Sequence, residues 1–105
     1  MTERVTGNVG TKVLFENERV RVWELRLAPG EHSEVHRHDL DHLLVMVSGG
    51  RIAVQPEPDS AGEYRDYLVA DTEPGLVVFN RRGGIETAIN EGSAPYYEIV
   101  IELKD

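Results

Sequence analysis

The stretch Gly30-Glu-His-Ser-Glu-Val-His36-Arg-His38-Asp-Leu-Asp-His42-Leu-Leu-Val-Met-Val-Ser-Gly49 holds all four histidines of the chain, His32, His36, His38 and His42. In an extended strand side chains alternate between faces, so His36 and His38 project to one side and stand close enough to share one ion. After the short polar link Asp39-Leu40-Asp41, His42 opens an apolar run, Leu43-Leu44-Val45-Met46-Val47. A hairpin-like reversal at that link would aim His42 back at the first pair. Three imidazoles converging from neighbouring strands suit a divalent transition metal. The plainer alternative is a pair of solvated strand histidines, with His42 a core residue bonded to a carboxylate such as Asp41. His32 shares parity with His36 but lies nearer the loop, which favours an exposed position over a ligand.

Outward from this stretch the chain reads as strand after strand. Val20-Arg-Val-Trp23-Glu-Leu-Arg-Leu27 is rich in β-formers, and its alternation shifts phase between Val22 and Trp23, the mark of a bulge or of a strand covered on both faces. Ser48-Gly49-Gly50 makes a tight turn into an alternating segment over 51–55. Two prolines within residues 56–63 exclude a helix there. Strands are expected again over 12–16, 64–70, 76–79 and 85–90. After Glu91-Gly92-Ser93-Ala94-Pro95 comes the final strand, in which Tyr97, Ile99, Ile101 and Leu103 share a face. Short strands cut by Gly and Pro, with no helical pattern and no repeat, indicate an all-β sandwich or barrel. At 105 residues the chain makes one domain, 1–105, with the polar residues 1–11 expected as a loose N-terminal arm.

The formal net charge of −8 argues against nucleic acid and against anionic membrane surfaces as partners. There is no cysteine, so neither a disulfide nor a thiol nucleophile is available. The polar start Met1-Thr2-Glu3-Arg4 lacks the apolar stretch of a secretory signal, and a cytoplasmic location is the expectation. No phosphate-binding loop or dinucleotide fingerprint is present.

The histidine stretch resembles the first cupin motif: glycine, five residues, His-x-His, three or four residues, Glu, six residues, glycine. Gly30, His36, His38 and Gly49 fall on their slots, and His42 takes the glutamate slot. The second cupin motif is glycine, five residues, proline, one residue, glycine, two residues, histidine, three residues, asparagine. Gly75, Gly83 and Asn90 meet it, with Arg81 in place of the proline and Glu86 in place of the histidine. The two departures are reciprocal, so the usual cupin set of three His and one Glu would survive as His36, His38, His42 and Glu86. The resemblance covers roughly residues 20–103. It implies a jelly-roll barrel (double-stranded β-helix), one divalent transition metal ion (Fe, Mn, Ni, Co or Zn), and oxygenase, isomerase or lyase activity on a small oxygen-rich or carboxylated metabolite.

The residues support that set independently. Glu86 shares parity with Ala88 and Asn90, and a carboxylate facing a barrel interior is costly unless paired or ligating a cation. A surface glutamate after a misplaced turn is the alternative. Trp23, Met46, Phe79, Arg81 and Tyr97 are candidates for pocket lining, with core packing or, for Arg81, solvation as the competing reading. A non-catalytic ligand-binding or sensing cupin with a structural metal is the second functional reading. Runs apolar on both faces, Leu43-Leu44-Val45-Met46-Val47 and Leu76-Val77-Val78-Phe79, exceed what one small barrel needs inside and point to a homodimer.

Overall fold

The computed structural model describes residues 5–104, and these form strands and turns with no helix. The strands are β1 (Lys12–Glu16), β2 (Val20–Leu27), β3 (His36–Arg37), β4 (His42–Ser48), β5 (Arg51–Pro56), β6 (Leu68–Asp71), β7 (Val77–Asn80), β8 (Ile85–Asn90) and β9 (Tyr96–Leu103). They make two antiparallel sheets, one ordered β1-β2-β9-β4-β7 and the other β3-β8-β5-β6. Consecutive strands repeatedly change sheet, which is how a jelly roll closes two sheets over one interior.

β9 is central, pairing with β2 from Leu103↔Val20 to Tyr96↔Leu27 and with β4 from Glu102↔His42 onward. Its odd and even positions part cleanly. Tyr96, Glu98, Val100 and Glu102 are buried, and Tyr97, Ile99, Ile101 and Leu103 are half-buried on the outer face. Leu25, Leu27, Met46, Ile52, Ala88 and Tyr96 form the core between the sheets. Burying a Leu, Ile or Met side chain contributes about 1.5–3 kcal/mol, so this small cluster supplies much of the closure.

β2 keeps an unbroken register with β9 through Val22 and Trp23, so the phase shift in its sequence is no bulge of its own. The irregularity sits in β1, between Val13 and Phe15. Val22 is apolar because the outer face is apolar, and Trp23 points inward, where its indole N–H donates to Glu102 Oε1 at 2.6 Å. Arg21 Nε donates to the same oxygen at 2.8 Å, so a buried carboxylate is paired at that end of the barrel, as burial requires.

Three expectations are corrected here. Of the arm expected over 1–11, residues 1–4 lie outside the described residues, and residues 7–11 are laid against the barrel. The Gly7 N–H donates to the Val35 carbonyl, the Thr11 N–H donates to the Glu24 carbonyl, and Val9 is buried. The strand expected over 64–70 is shorter, Leu68–Asp71. The link 39–41 is not a hairpin, because β3 and β4 lie in different sheets and it carries the chain from one sheet to the other.

Candidate metal centre

The site begins with one register. β3 and β8 pair so that His36 stands directly opposite Glu86, and side chains so paired on one face have Cβ atoms about 5 Å apart. His38 lies two residues on, on the same face. The turn between β7 and β8 secures it: the His38 N–H donates to the Gly84 carbonyl and the Gly83 N–H donates to the His38 carbonyl, both at 2.8 Å. A Cβ at Gly84 would lie 3.0 Å from Glu86 Oε1 and 3.8 Å from His38 Cδ2, so a bare backbone there leaves room for both side chains.

His36, His38 and Glu86 each offer one ligand atom, and all three atoms lie within 4.8 Å of one another. His38 Nε2 is 3.6 Å from Glu86 Oε2. His36 Nδ1 meets the Glu34 carbonyl at 2.9 Å, which fixes the ring and leaves Nε2 as the metal-facing nitrogen, the usual arrangement around ligating histidines. His38 Nδ1 is the one buried side-chain nitrogen or oxygen without a hydrogen-bond partner among the described residues. The His38 nitrogen that meets Glu86 is the other one, Nε2, so Nε2 is the ring's donor toward the cluster and the unpartnered Nδ1 lies on the ring's other side.

His42 arrives from the opposite sheet, 2% exposed. Its Nδ1 meets the Leu40 carbonyl at 3.0 Å, and its ring stacks on His38 with centroids 3.9 Å apart and planes 13° apart. Lone pairs of stacked rings run parallel rather than converge, so His42 backs the trio here instead of completing it. His32 is exposed, its Nδ1 turned to the Ser33 carbonyl.

The protonation states suit a cation. Burial, reinforced by His38, holds His36 below the usual histidine range, and the same two causes lower His42. Burial pushes the Glu86 carboxyl up, but the polar contact with His38 and the attraction of the three histidines outweigh it and hold it below the usual carboxylate range. His36 and His42, held neutral beside an ionised carboxylate, are in the state a divalent ion binds.

The trio forms part of the wall of a cavity of about 110 Å³ between the sheets, lined otherwise mainly by apolar side chains. Of the expected lining residues, Met46 faces this cavity, and Arg81 lies on a smaller cleft shared by His38, His42 and Glu86. Trp23, Phe79 and Tyr97 line neither. Phe79 and Tyr97 fall on the outer parity of β7 and β9, Phe79 half exposed and Tyr97 under the Arg26 guanidinium, 4.1 Å from its ring centre. Trp23 is held at the Glu102 end. Glu98, Tyr64 and Asn80 line the cavity and did not stand out in the sequence. For Glu98 the available signal was its parity with Val100, against the more apolar parity of Ile99 and Ile101 that turns out to face outward.

Neither a protein-family model nor a curated protein sequence matches the chain. Solved structures do. A cupin domain from Bordetella pertussis superposes with a TM-score of 0.76 at 24% identity, covering 99% of this chain and 100% of that one. The chain has the cupin fold. An RmlC-like cupin with a double-stranded β-helix from Methanocaldococcus jannaschii gives a TM-score of 0.68 at 17% identity, covering 98% and 92%. The polyketide cyclase RemF from Streptomyces resistomycificus gives 0.62 at 14%, covering 100% and 81%. Within this cupin barrel the two exchanged motif positions, His42 and Glu86, lie on facing sheets at the same centre, each against His38.

Proposed function

We propose that this cupin holds one divalent transition ion on His36, His38 and Glu86, with His42 at their back, and is a metal-dependent enzyme acting on a small molecule in the adjoining cavity. The observation that carries the reading is the His36↔Glu86 cross-strand pair with His38 beside it, in the wall of that cavity. Two imidazoles and a carboxylate suit Fe, Mn, Ni, Co or Zn. When bound, such an ion supplies a Lewis acid that polarises a carbonyl or enolate oxygen or activates a water.

The chain's own residues prepare the place. The Glu34 and Leu40 carbonyls hold the His36 and His42 rings by their Nδ1 atoms, and Gly84 leaves space for the Glu86 carboxylate. The apolar walls keep water off a bound molecule, which strengthens each polar contact made to it. The polyketide cyclase among the fold neighbours is an enzyme on this same frame, which supports catalysis as a use of the barrel. Oxygenase, isomerase and lyase chemistries are the classes this donor set serves.

The deciding measurement is metal content of tag-free protein before and after reconstitution. Near one equivalent per chain is expected; under ~0.1 equivalent with no uptake overturns the reading, since neutral imidazoles and an ionised carboxylate bind available metal. Loaded protein that small carbonyl or hydroxy compounds stabilise but that turns none of them over would instead favour the ligand-binding reading.

A further inference from the structure

A second buried carboxyl, Glu98, lines the same cavity from the other side. It belongs to β9, in the five-stranded sheet, whereas His36 and Glu86 belong to the four-stranded one. Packed sheets lie about 10 Å apart, the width of one small ring, and both polar stations line the space between them. Between them the walls are apolar: Leu25, Leu44, Met46, Val54 and Val100 all line the gap. The other polar pair on the lining satisfies itself, the Tyr64 hydroxyl donating to Asn80 Oδ1 at 2.8 Å.

Glu98 is 5% exposed, and its hydrogen-bond partner among the described residues is the Tyr96 hydroxyl, which donates to Oε1 at 2.5 Å. A carboxyl has two oxygens and, when protonated, an O–H to donate. Burial raises the Glu98 carboxyl to about 7, with Glu86 adding to the rise and Tyr96 and His38 opposing it. It is therefore protonated in part at neutral pH and can donate as well as accept. In the metal-free protein an anionic ligand beside the ionised Glu86 would be repelled. The exposed lining residues, Leu68 at 41% and Leu76 at 37%, lie on or next to the edge strands β6 and β7. The mouth is there, and Glu98 on the central strand is the deep end.

We propose that Glu98 is a ligand-binding residue, and that the cavity takes a small, mainly apolar molecule whose neutral hydroxyl or carbonyl meets Glu98 at the deep end, with the His36/His38/Glu86 trio on the facing wall. This deepens the function proposed above and rests on it in taking the cavity as the substrate site. It narrows the expected oxygen-rich or carboxylated metabolite to one with a largely hydrocarbon body. The enclosed space, about 110 Å³, is below the roughly 150 Å³ of an engineered cavity that holds benzene, so a bound ring extends in part into the mouth.

The chain itself supplies the reporter. Its two methionines are Met1 and Met46, and Met46 lines the cavity. Full-length protein labelled on the methionine methyls, metal-free in chelator at pH 6, is titrated with phenol, toluene and benzoate. Phenol is expected to shift the Met46 methyl with a Kd at least about five-fold lower than toluene, the worth of one buried hydrogen bond, and benzoate to bind weakest. The phenol preference should vanish in Glu98→Leu and persist in Glu98→Gln. Toluene binding as tightly as phenol in the wild type, benzoate binding best, no Met46 response to any probe, or a preference that survives Glu98→Leu each overturns the proposal. Should Glu98→Leu not fold, the wild-type ranking and Glu98→Met decide alone. Because no metal is present, a failed metal analysis leaves this result standing, and a failed titration leaves the metal centre standing.

Discussion

Glu86 and Glu98 are the same side chain in one cavity, yet their surroundings drive them in opposite directions. The histidines around Glu86 keep it ionised, and replacing it leaves two imidazoles without a charged partner for the ion. Glu86→Ala is expected to lower metal affinity at least ten-fold, read by competition with a chromogenic chelator, while the thermal transition of the metal-free protein survives. Unchanged affinity would remove Glu86 from the ligand set. For Glu98 the consequence is a pH dependence. Its folded value, about 7, lies above the ordinary 4.5, so folding favours the protonated form. The resulting stability is whole below about 4.5 and is lost as pH rises through about 7. At about 1.36 kcal/mol per pH unit the loss is on the order of 3 kcal/mol. His36 and His42, held low in the folded state, add stability as pH rises toward their ordinary 6.5 and oppose this loss in wild type and Glu98→Gln alike. The tyrosines with displaced values, Tyr64, Tyr67, Tyr96 and Tyr97, all move upward, away from this window, and there is no cysteine. Between pH 6 and 9 the metal-free wild type should lose about 1.4 kcal/mol, roughly 6 °C in Tm, relative to Glu98→Gln. A wild-type curve parallel to the variant's would contradict the assignment.

At the scale of elements, the centre depends on turns more than on strands. The turn between β7 and β8 clamps His38 by two backbone hydrogen bonds and delivers Glu86 two residues later. It closes on Gly83, whose φ of 111° is open to glycine and strained for other residues. A Cβ there would also lie 3.2 Å from the Ala61 carbonyl oxygen. Gly75 has a similar φ of 90° but open space around it, in a turn away from the trio. Gly83→Ala and Gly75→Ala should each cost about 1–2 kcal/mol in urea unfolding. Only Gly83→Ala should also weaken metal retention, several-fold in the same chelator assay; equal retention in both would detach the turn from the site. These glycines explain why the fold was legible. Gly30, Gly49, Gly75 and Gly83, the four motif glycines, are the four residues with positive φ among those described. The motif asparagine, Asn90, is a buried staple that donates to the Leu27 and Ala94 carbonyls and accepts from the Gly92 N–H. The motif spacing therefore records backbone demands, which survive when side chains diverge. Side-chain direction across the interior was less legible. Nothing in Asp39-Leu40-Asp41 tells a hairpin from a crossing between sheets, and alternation in β9 separates two faces without saying which is inner. So the convergence of His36, His38 and Glu86 could be read, whereas the stacked pose of His42 and the inward Glu98 could not.

The whole molecule leaves one face without an explanation inside a single chain. On the outside of the five-stranded sheet, β9 presents Ile99, Ile101 and Leu103, flanked by Val22 of β2 and by Leu43 and Val45 of β4. β7 extends the patch to the edge with Val77, 55% exposed, and Phe79, 50% exposed. Scattered exposed apolar residues are ordinary on a monomer, but a contiguous sheet face of them marks an interface. We propose that a second copy covers it, since two identical twisted sheets can stack face to face and a two-fold contact uses the same patch twice. Each protomer carries a formal charge of −8, so self-repulsion opposes the pairing and salt should tighten it. Light scattering at ten micromolar chain is expected to give twice the chain mass, more completely at 0.3 M than at 0.03 M salt. Phe79→Glu should yield a monomer that still retains metal, because Phe79 points away from the cavity. A wild-type monomer at that concentration, or a dimer indifferent to Glu at both Val77 and Phe79, would show that this face is covered by something other than its own copy.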